Sequence, residues 1–133
     1  MMHLSHTAPM LGRWFVALCA MACVAGCGSA TDNRPAKWSV ISATIIEPSC
    51  ATANCHSEIT QRAGVNLSER NVGYQTLIDR RFLIPGDTTE SSSLFYLMKG
   101  LGSLRMPPDA PLPGADIDLI STWIMGCTVP CND

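Results

Sequence analysis

The chain has 133 residues, with nine Lys and Arg against eleven Asp and Glu and a formal net charge of −2. That length suits one domain. The mild acidity excludes the basic face that nucleic-acid binding requires, so no nucleic-acid partner is expected.

The first 13 residues are weakly basic, with Arg13 and two histidines. Trp14 to Ala25 then form an uninterrupted apolar run of twelve. This run is too short for a membrane-spanning helix and fits the core of an export signal. Val24-Ala25-Gly26-Cys27 follows. Small residues before a thiol resemble the lipobox of bacterial lipoproteins, in which Cys27 is lipidated and becomes the mature N-terminus. The expected organisation is a signal peptide over 1–26, a small and polar tether over 27–36, and a domain over 37–133. Cleavage there leaves 107 residues with a net charge of −3. The expected location is a bacterial membrane, facing the periplasm or the cell surface, with the lipid as the membrane contact.

Residues 38, 41 and 45 are apolar at helical spacing, so a first helix is predicted over Trp38–Ile46, ending before Pro48. Cys50-Ala51-Thr52-Ala53-Asn54-Cys55-His56 comes next. Two cysteines followed at once by a histidine are the pattern of covalent haem attachment, although two residues between the cysteines are usual and four stand here. The thiols would add to the porphyrin vinyls and His56 would lie under the iron. Residues 57–66 are polar and read as loop. Ser68 is a candidate cap for a second helix to about Ile78, with Val72, Leu77 and Ile78 inward.

Phe82 to Asp87 reads as an extended stretch into a Pro85-Gly86 turn. Asp87 and Glu90 have capping-box spacing, which makes Asp87 a cap rather than an acid catalyst. A third helix is predicted over 90–99, carrying Leu94, Phe95, Leu97 and Met98 and stopped by Gly100. Four prolines between Leu101 and Pro113 preclude regular structure there. The last helix is predicted over Ala115–Met125, with Ile117, Ile120, Trp123 and Ile124 on one face and Gly126 at its end.

Cys19 and Cys23 fall in the leader, and Cys27 would carry lipid. Cys50, Cys55, Cys127 and Cys131 remain in an oxidising compartment, where free thiols are disfavoured. Three pairings use them: thioethers at Cys50 and Cys55 with a Cys127–Cys131 disulfide, two disulfides without haem, or zinc on His56 and the thiolates. Of the methionines left after cleavage, Met106 precedes Pro107 and Pro108, which hold it on a stiff non-helical perch. Met98 and Met125 fall on helices, where methionine ordinarily fills core. Met106 is therefore the candidate sixth iron ligand, and Arg105 beside it is either a propionate donor or a solvated cation.

The segments Glu47-Pro48-Ser49-Cys50 to Cys55-His56, Ile84-Pro85-Gly86-Asp87, Arg105-Met106-Pro107-Pro108 and Asp116 to Ile124 occur in an order that resembles a single-haem class I cytochrome c domain. More closely, the chain resembles the short cytochrome c-like lipoproteins of myxobacteria and planctomycetes. The likeness covers about residues 38–126 and departs from the usual family in the four-residue gap. It implies a small all-α domain wrapped around one covalent haem c, held by Cys50, Cys55, His56 and Met106. It also implies that the first and last helices cross, with Trp38 and Trp123 at the contact.

The expected function is single-electron transfer between redox protein partners, by a monomer that is not an enzyme. No nucleophile–base or acid–base pair is evident, and His56 is already assigned. Two alternatives stand beside it: a haem-free, disulfide-stapled lipoprotein interaction module, and an open-site haem sensor or peroxidase.

Overall fold

The computed structural model describes residues 32–86, 92–128 and 130–133. The signal peptide, Cys27 and the Asp87–Glu90 capping box lie outside the described residues. Among those described, the secondary structure is helical, without strands. A compact unit spans Asp32–Asp133.

The first helix, α1, is three consecutive turns: α-helical Trp38–Ile41, π-helical Ser42–Ile46 and α-helical Glu47–Ser49. It therefore runs through Pro48 instead of stopping before it. A proline inside an α-helix lacks the N–H for the ladder and its ring meets the carbonyl four residues back. The wide turn just upstream accommodates it. The Glu47 N–H donates to the Ser42 carbonyl, one residue further back than in an α-helix. The buried Ser42 hydroxyl donates to the Glu47 carboxylate at 3.0 Å, which ties off the same turn.

The second helix, α2, is Arg70–Asp79; the third, α3, is Ser93–Lys99; the last, α4, is Gly114–Gly126. Two expectations are corrected in α2. Ser68 is not its cap: the hydroxyl donates to Asn66, and Glu69 occupies the cap position. Val72 faces solvent, while Tyr74 takes the inward position beside Leu77. Gly73 is buried under Trp38, where an added Cβ would lie 3.5 Å from the indole. At that distance a Cβ would make ordinary van der Waals contact, so the packing does not demand glycine there. Gly100 ends α3 in the left-handed region, with its N–H on the Leu97 carbonyl. Pro85-Gly86 forms the expected turn.

α1 and α4 meet through Trp38 and Trp123, whose rings stack at 5.1 Å and 26°. Tyr74 of α2 leans on Trp38 at 6.0 Å. Each indole also places its polar edge: Trp38 Nε1 donates to the Arg70 carbonyl and Trp123 Nε1 to the Cys131 carbonyl. The Cys127–Cys131 disulfide, with Cα atoms 5.3 Å apart, turns the tail back over this cluster. There the Cys131 N–H donates to the Tyr74 hydroxyl, and the Ser39 N–H of α1 donates to the Asp133 carbonyl. The tail thus satisfies an orphan donor at the start of α1.

Residues 32–36, which composition places in the tether, belong to this unit. Arg34 reaches Asp32, Thr44 on α1 and Asp116 in the first turn of α4. Its guanidinium holds the Asp32 carboxyl down at about 2. Ala36 packs against the core. No described helix is long and apolar enough to cross a membrane.

Truncating a buried indole removes contact area and leaves a cavity. Trp123→Ala is expected to destabilise the domain by about 3–5 kcal/mol. Val72→Ser is expected to stay within about 0.5 kcal/mol because Val72 is exposed. Denaturant unfolding of both variants against wild type measures the difference.

Candidate functional site

α1 delivers Cys50 directly, since the Cys50 N–H still donates to the Ile46 carbonyl. The chain then turns sharply. The Cys50 carbonyl accepts from the His56 N–H at 3.1 Å, so the two ends of the motif lie side by side. Thr52, Ala53 and Asn54 are exposed, whereas Cys50, Cys55 and His56 stay half-buried. The four-residue gap is thus looped outward, leaving the chemical groups on the inner side. Thr60 and Ser57 secure the bulge through hydroxyl donors to the Ala53 carbonyl.

The segment after the motif folds under it. The Arg62 N–H donates to the Cys55 carbonyl and the Leu67 N–H to the His56 carbonyl. Gln61, Ala63 and Gly64 all have positive φ there, a cluster of uncommon backbone conformations beside the motif. At Gly64 the requirement is doubled: φ is +70°, and an added Cβ would lie on the Arg80 guanidinium that donates to the Gly64 carbonyl.

Two adjoining clefts open here. The first is bordered by Cys50, Cys55, His56, Arg62 and Met106 with Pro107 and Pro108. The second, deeper into the fold, shares Cys50, His56 and Met106 and is otherwise walled by apolar residues. Ile46 comes from α1, Val65 and Leu67 from the strained segment, Leu77 from α2, and Leu94, Leu97 and Met98 from α3. The Met106 N–H donates to the Leu97 carbonyl at 3.0 Å, fixing the proline loop to the end of α3. Arg105 is exposed, and its guanidinium donates to the Pro108 carbonyl, bridging the loop. The pairing with Pro108 makes it a brace of the Met106 perch.

His56 Nδ1 is the one buried side-chain nitrogen or oxygen without a hydrogen-bond partner among the described residues. Such an orphan costs about 1–3 kcal/mol unless something binds it. Cys50 and Cys55 are both free thiols. Burial pushes the Cys50 thiol up to about 11, and the nearby Cys55 thiol adds to the effect. Cys50 therefore stays protonated at neutral pH. This set offers two thiols, an imidazole nitrogen and a thioether around an apolar slot. It contains no carboxylate or second imidazole for acid–base work.

The four residues singled out in the sequence, Cys50, Cys55, His56 and Met106, are brought to one place. Met98 is buried and borders the deeper cleft, while Met125 is exposed on α4 and fills no core. Arg62 and Val65 were missed within 57–66, taken as polar loop, and Leu67 just beyond it. The alternation Val65-Asn66-Leu67 was the available signal, since it puts two apolar side chains on one side. Cys127 and Cys131 are paired with each other by the tail, so the three- or four-thiolate zinc set is not assembled. No cluster of three or more His, Cys, Asp or Glu suited to a metal occurs among the described residues.

Compared with models of known families, with curated proteins and with solved structures, the chain matches none.

Thiolate is the form that reacts with alkylating agents. In the haem-free protein, Cys50 is expected to be nearly inert to iodoacetamide at pH 8. Its rate should climb about tenfold per pH unit until about pH 11. The same raised value means that thiol burial favours the folded state below pH 9.0 and that this contribution is lost as pH rises towards 11. Peptide mass mapping after timed alkylation follows the first effect. Rapid labelling of Cys50 at pH 8 would contradict the buried-thiol assignment.

Proposed function

We propose that this protein is a membrane-tethered c-type cytochrome that carries single electrons between redox partners at an exported or membrane location. The observation that carries the reading is the meeting of Cys50, Cys55, His56 and Met106 at one apolar cleft. The orphaned His56 nitrogen supports it, because a buried imidazole with no protein partner at Nδ1 is not already committed to a structural hydrogen bond.

Bound there, haem c supplies a reversible one-electron couple at its iron. Cys50 and Cys55 would hold the porphyrin by adding their S–H groups across its two vinyl double bonds. The outward bulge of Thr52–Asn54 lets both thiols point inward despite the wide gap. His56 and Met106 would supply the imidazole and thioether ligands to the iron. Met106 reaches it from a loop fixed by the Leu97 hydrogen bond and the Arg105 brace. A thioether ligand and an apolar enclosure both disfavour the more highly charged oxidised state, which raises the reduction potential. Ile46, Val65, Leu67, Leu77 and Leu97 supply that enclosure and exclude water.

A haem-free module stapled by two disulfides would need Cys50 and Cys55 joined, and both thiols are unbonded.

The test is covalent haem. Produced in a host whose maturation system accepts a four-residue gap, the denatured protein is expected to keep one haem through acid–organic extraction. Complete loss of colour overturns the reading. The wild-type spectrum is expected to be low-spin. Met106→Ala is expected to turn the iron largely high-spin, lower the potential and admit carbon monoxide. Met98→Leu conserves volume and is expected to leave the spectrum unchanged. A high-spin Met98→Leu protein beside a low-spin Met106→Ala protein would move the ligand to Met98.

A further inference from the structure

The seven residues from Lys99 to Arg105 leave the end of α3 and return to it. The Leu97 carbonyl accepts the Gly100 N–H at 3.2 Å and the Met106 N–H at 3.0 Å, so both ends of this loop are tied to one atom. The Arg105 stem lies on Gly100 across the neck, where a φ of +65° suits glycine. Tyr96 braces the loop. Its hydroxyl donates to the Leu101 carbonyl at 2.8 Å, and Gly102 sits so close to its ring that an added Cβ would lie 2.9 Å from it. Held in this way, residues 101–105 are all exposed. Leu101 is 56% and Leu104 63% exposed, with Tyr96 at 45%. Residues 93–108 carry Lys99 and Arg105 and no carboxylate, in a chain whose net charge is −2. The loop therefore has an apolar tip and a cationic neck.

We propose that the Lys99–Arg105 loop is a membrane-contact loop, which dips Leu101 and Leu104 into the interface of an anionic bilayer while Lys99 and Arg105 meet the headgroup phosphates. This rests on the membrane location within the function proposed above. It goes further by naming a surface of the folded domain that touches lipid, and it requires nothing of Cys27.

Charge and depth both favour a lipid surface as the occupant. Anionic headgroups attract cations at the membrane surface, and this loop offers two with no acid between them. Long cationic side chains lay their stems along apolar surface and keep their heads at the phosphates, while a tyrosine ring suits the boundary between the two layers. The tip lies at most three residues beyond the neck, about 10 Å at full extension. Interfacial segments bury their apolar side chains about 5–10 Å deep, so the leucines reach hydrocarbon while the cations stay with the headgroups. An acidic protein surface would match the cations, but it would also have to supply a pocket for two leucines carried on an exposed loop. Met106 follows Arg105 directly, so the lipid contact adjoins the proline loop that carries the proposed thioether ligand.

The experiment is photo-crosslinking of the protein purified from its host, with Leu104 replaced by a diazirine-bearing leucine analogue. Vesicles of phosphatidylcholine and phosphatidylglycerol, about three to one, supply the anionic surface. Mass spectrometry reads phospholipid adducts at position 104 against those at Met125, which is 61% exposed on α4 and serves as the reference position. Adducts at 104 are expected to exceed those at 125 several-fold and to fall on pure phosphatidylcholine. Lys99→Gln is expected to lower the yield at 104 about fivefold, the equivalent of about 1 kcal/mol for one surface cation. Near-ultraviolet circular dichroism checks the fold, and Leu101 takes the analogue if the variant at 104 is unfolded. Equal yields at the loop and at 125 overturn the proposal. So do adducts in host membranes that join position 104 to a protein and not to phospholipid. Loss of all haem on acid–organic extraction fails the cytochrome reading alone, because the adducts report the loop whether or not haem is bound. With an N-terminus that carries no lipid, adducts at 104 still support the loop and their absence overturns it.

Discussion

The stacking of Trp38 on Trp123 is the contact on which the other elements depend. It brings the first and last helices together at the one place where both present a large flat apolar face. Such a pair contributes about 0.5–1.5 kcal/mol beyond the area it buries. More important is what the two indoles do at their edges. Trp38 donates to the backbone at the start of α2, and Trp123 donates to the tail beyond the disulfide. One stacked pair therefore registers four parts of the chain. Tyr74 completes the arrangement by covering Trp38 and accepting the Cys131 N–H. The disulfide then acts on a tail that already has partners.

The cleft is built at the other end of α1, and the π turn links the two. Trp38 fixes the start of the helix, and Cys50 must leave its end on the cleft side. Between them stands Pro48, which an unbroken α-helix would not accept without a kink. The wide Ser42–Ile46 turn lets the helix pass through the proline and hand Cys50 over in the right rotation. The Ser42–Glu47 hydrogen bond holds that turn in a setting where a bare hydroxyl would be costly. The strained Gln61–Gly64 segment does the corresponding task from below, turning Val65 and Leu67 into the cleft wall.

Charge is used for position where the chain enters the domain. Arg34, Lys37 and their acidic partners lie where the chain enters the domain, so ion pairs fasten the entry point while the cleft stays almost free of charge. Separating the two matters physically. An apolar slot keeps its low polarity only if such charges lie elsewhere.

Periodicity and chemistry made much of this legible from residues alone. The apolar spacing of Trp38, Ile41 and Ile45 and of Ile117, Ile120, Trp123 and Ile124 marked two helices and their buried faces. Gly100 marked a helix end, and the four prolines marked a loop. Cys50, Cys55, His56 and Met106 stood out because their side-chain chemistry is unusual in any setting. These are local properties, carried by spacing and by residue type. Tertiary structure decided the rest. Whether Pro48 stops a helix depends on the wide Ser42–Ile46 turn just before it. Whether Val72 or Tyr74 faces inward depends on where Trp38 lies. Whether residues 32–36 hang free depends on Thr44 and Asp116, which stand 10 and 82 residues from Arg34. How the four-residue gap closes depends on the hydrogen bond from the His56 N–H to the Cys50 carbonyl. Each of these outcomes rests on particular contacts, several between segments distant in sequence, and no periodicity or composition records such contacts.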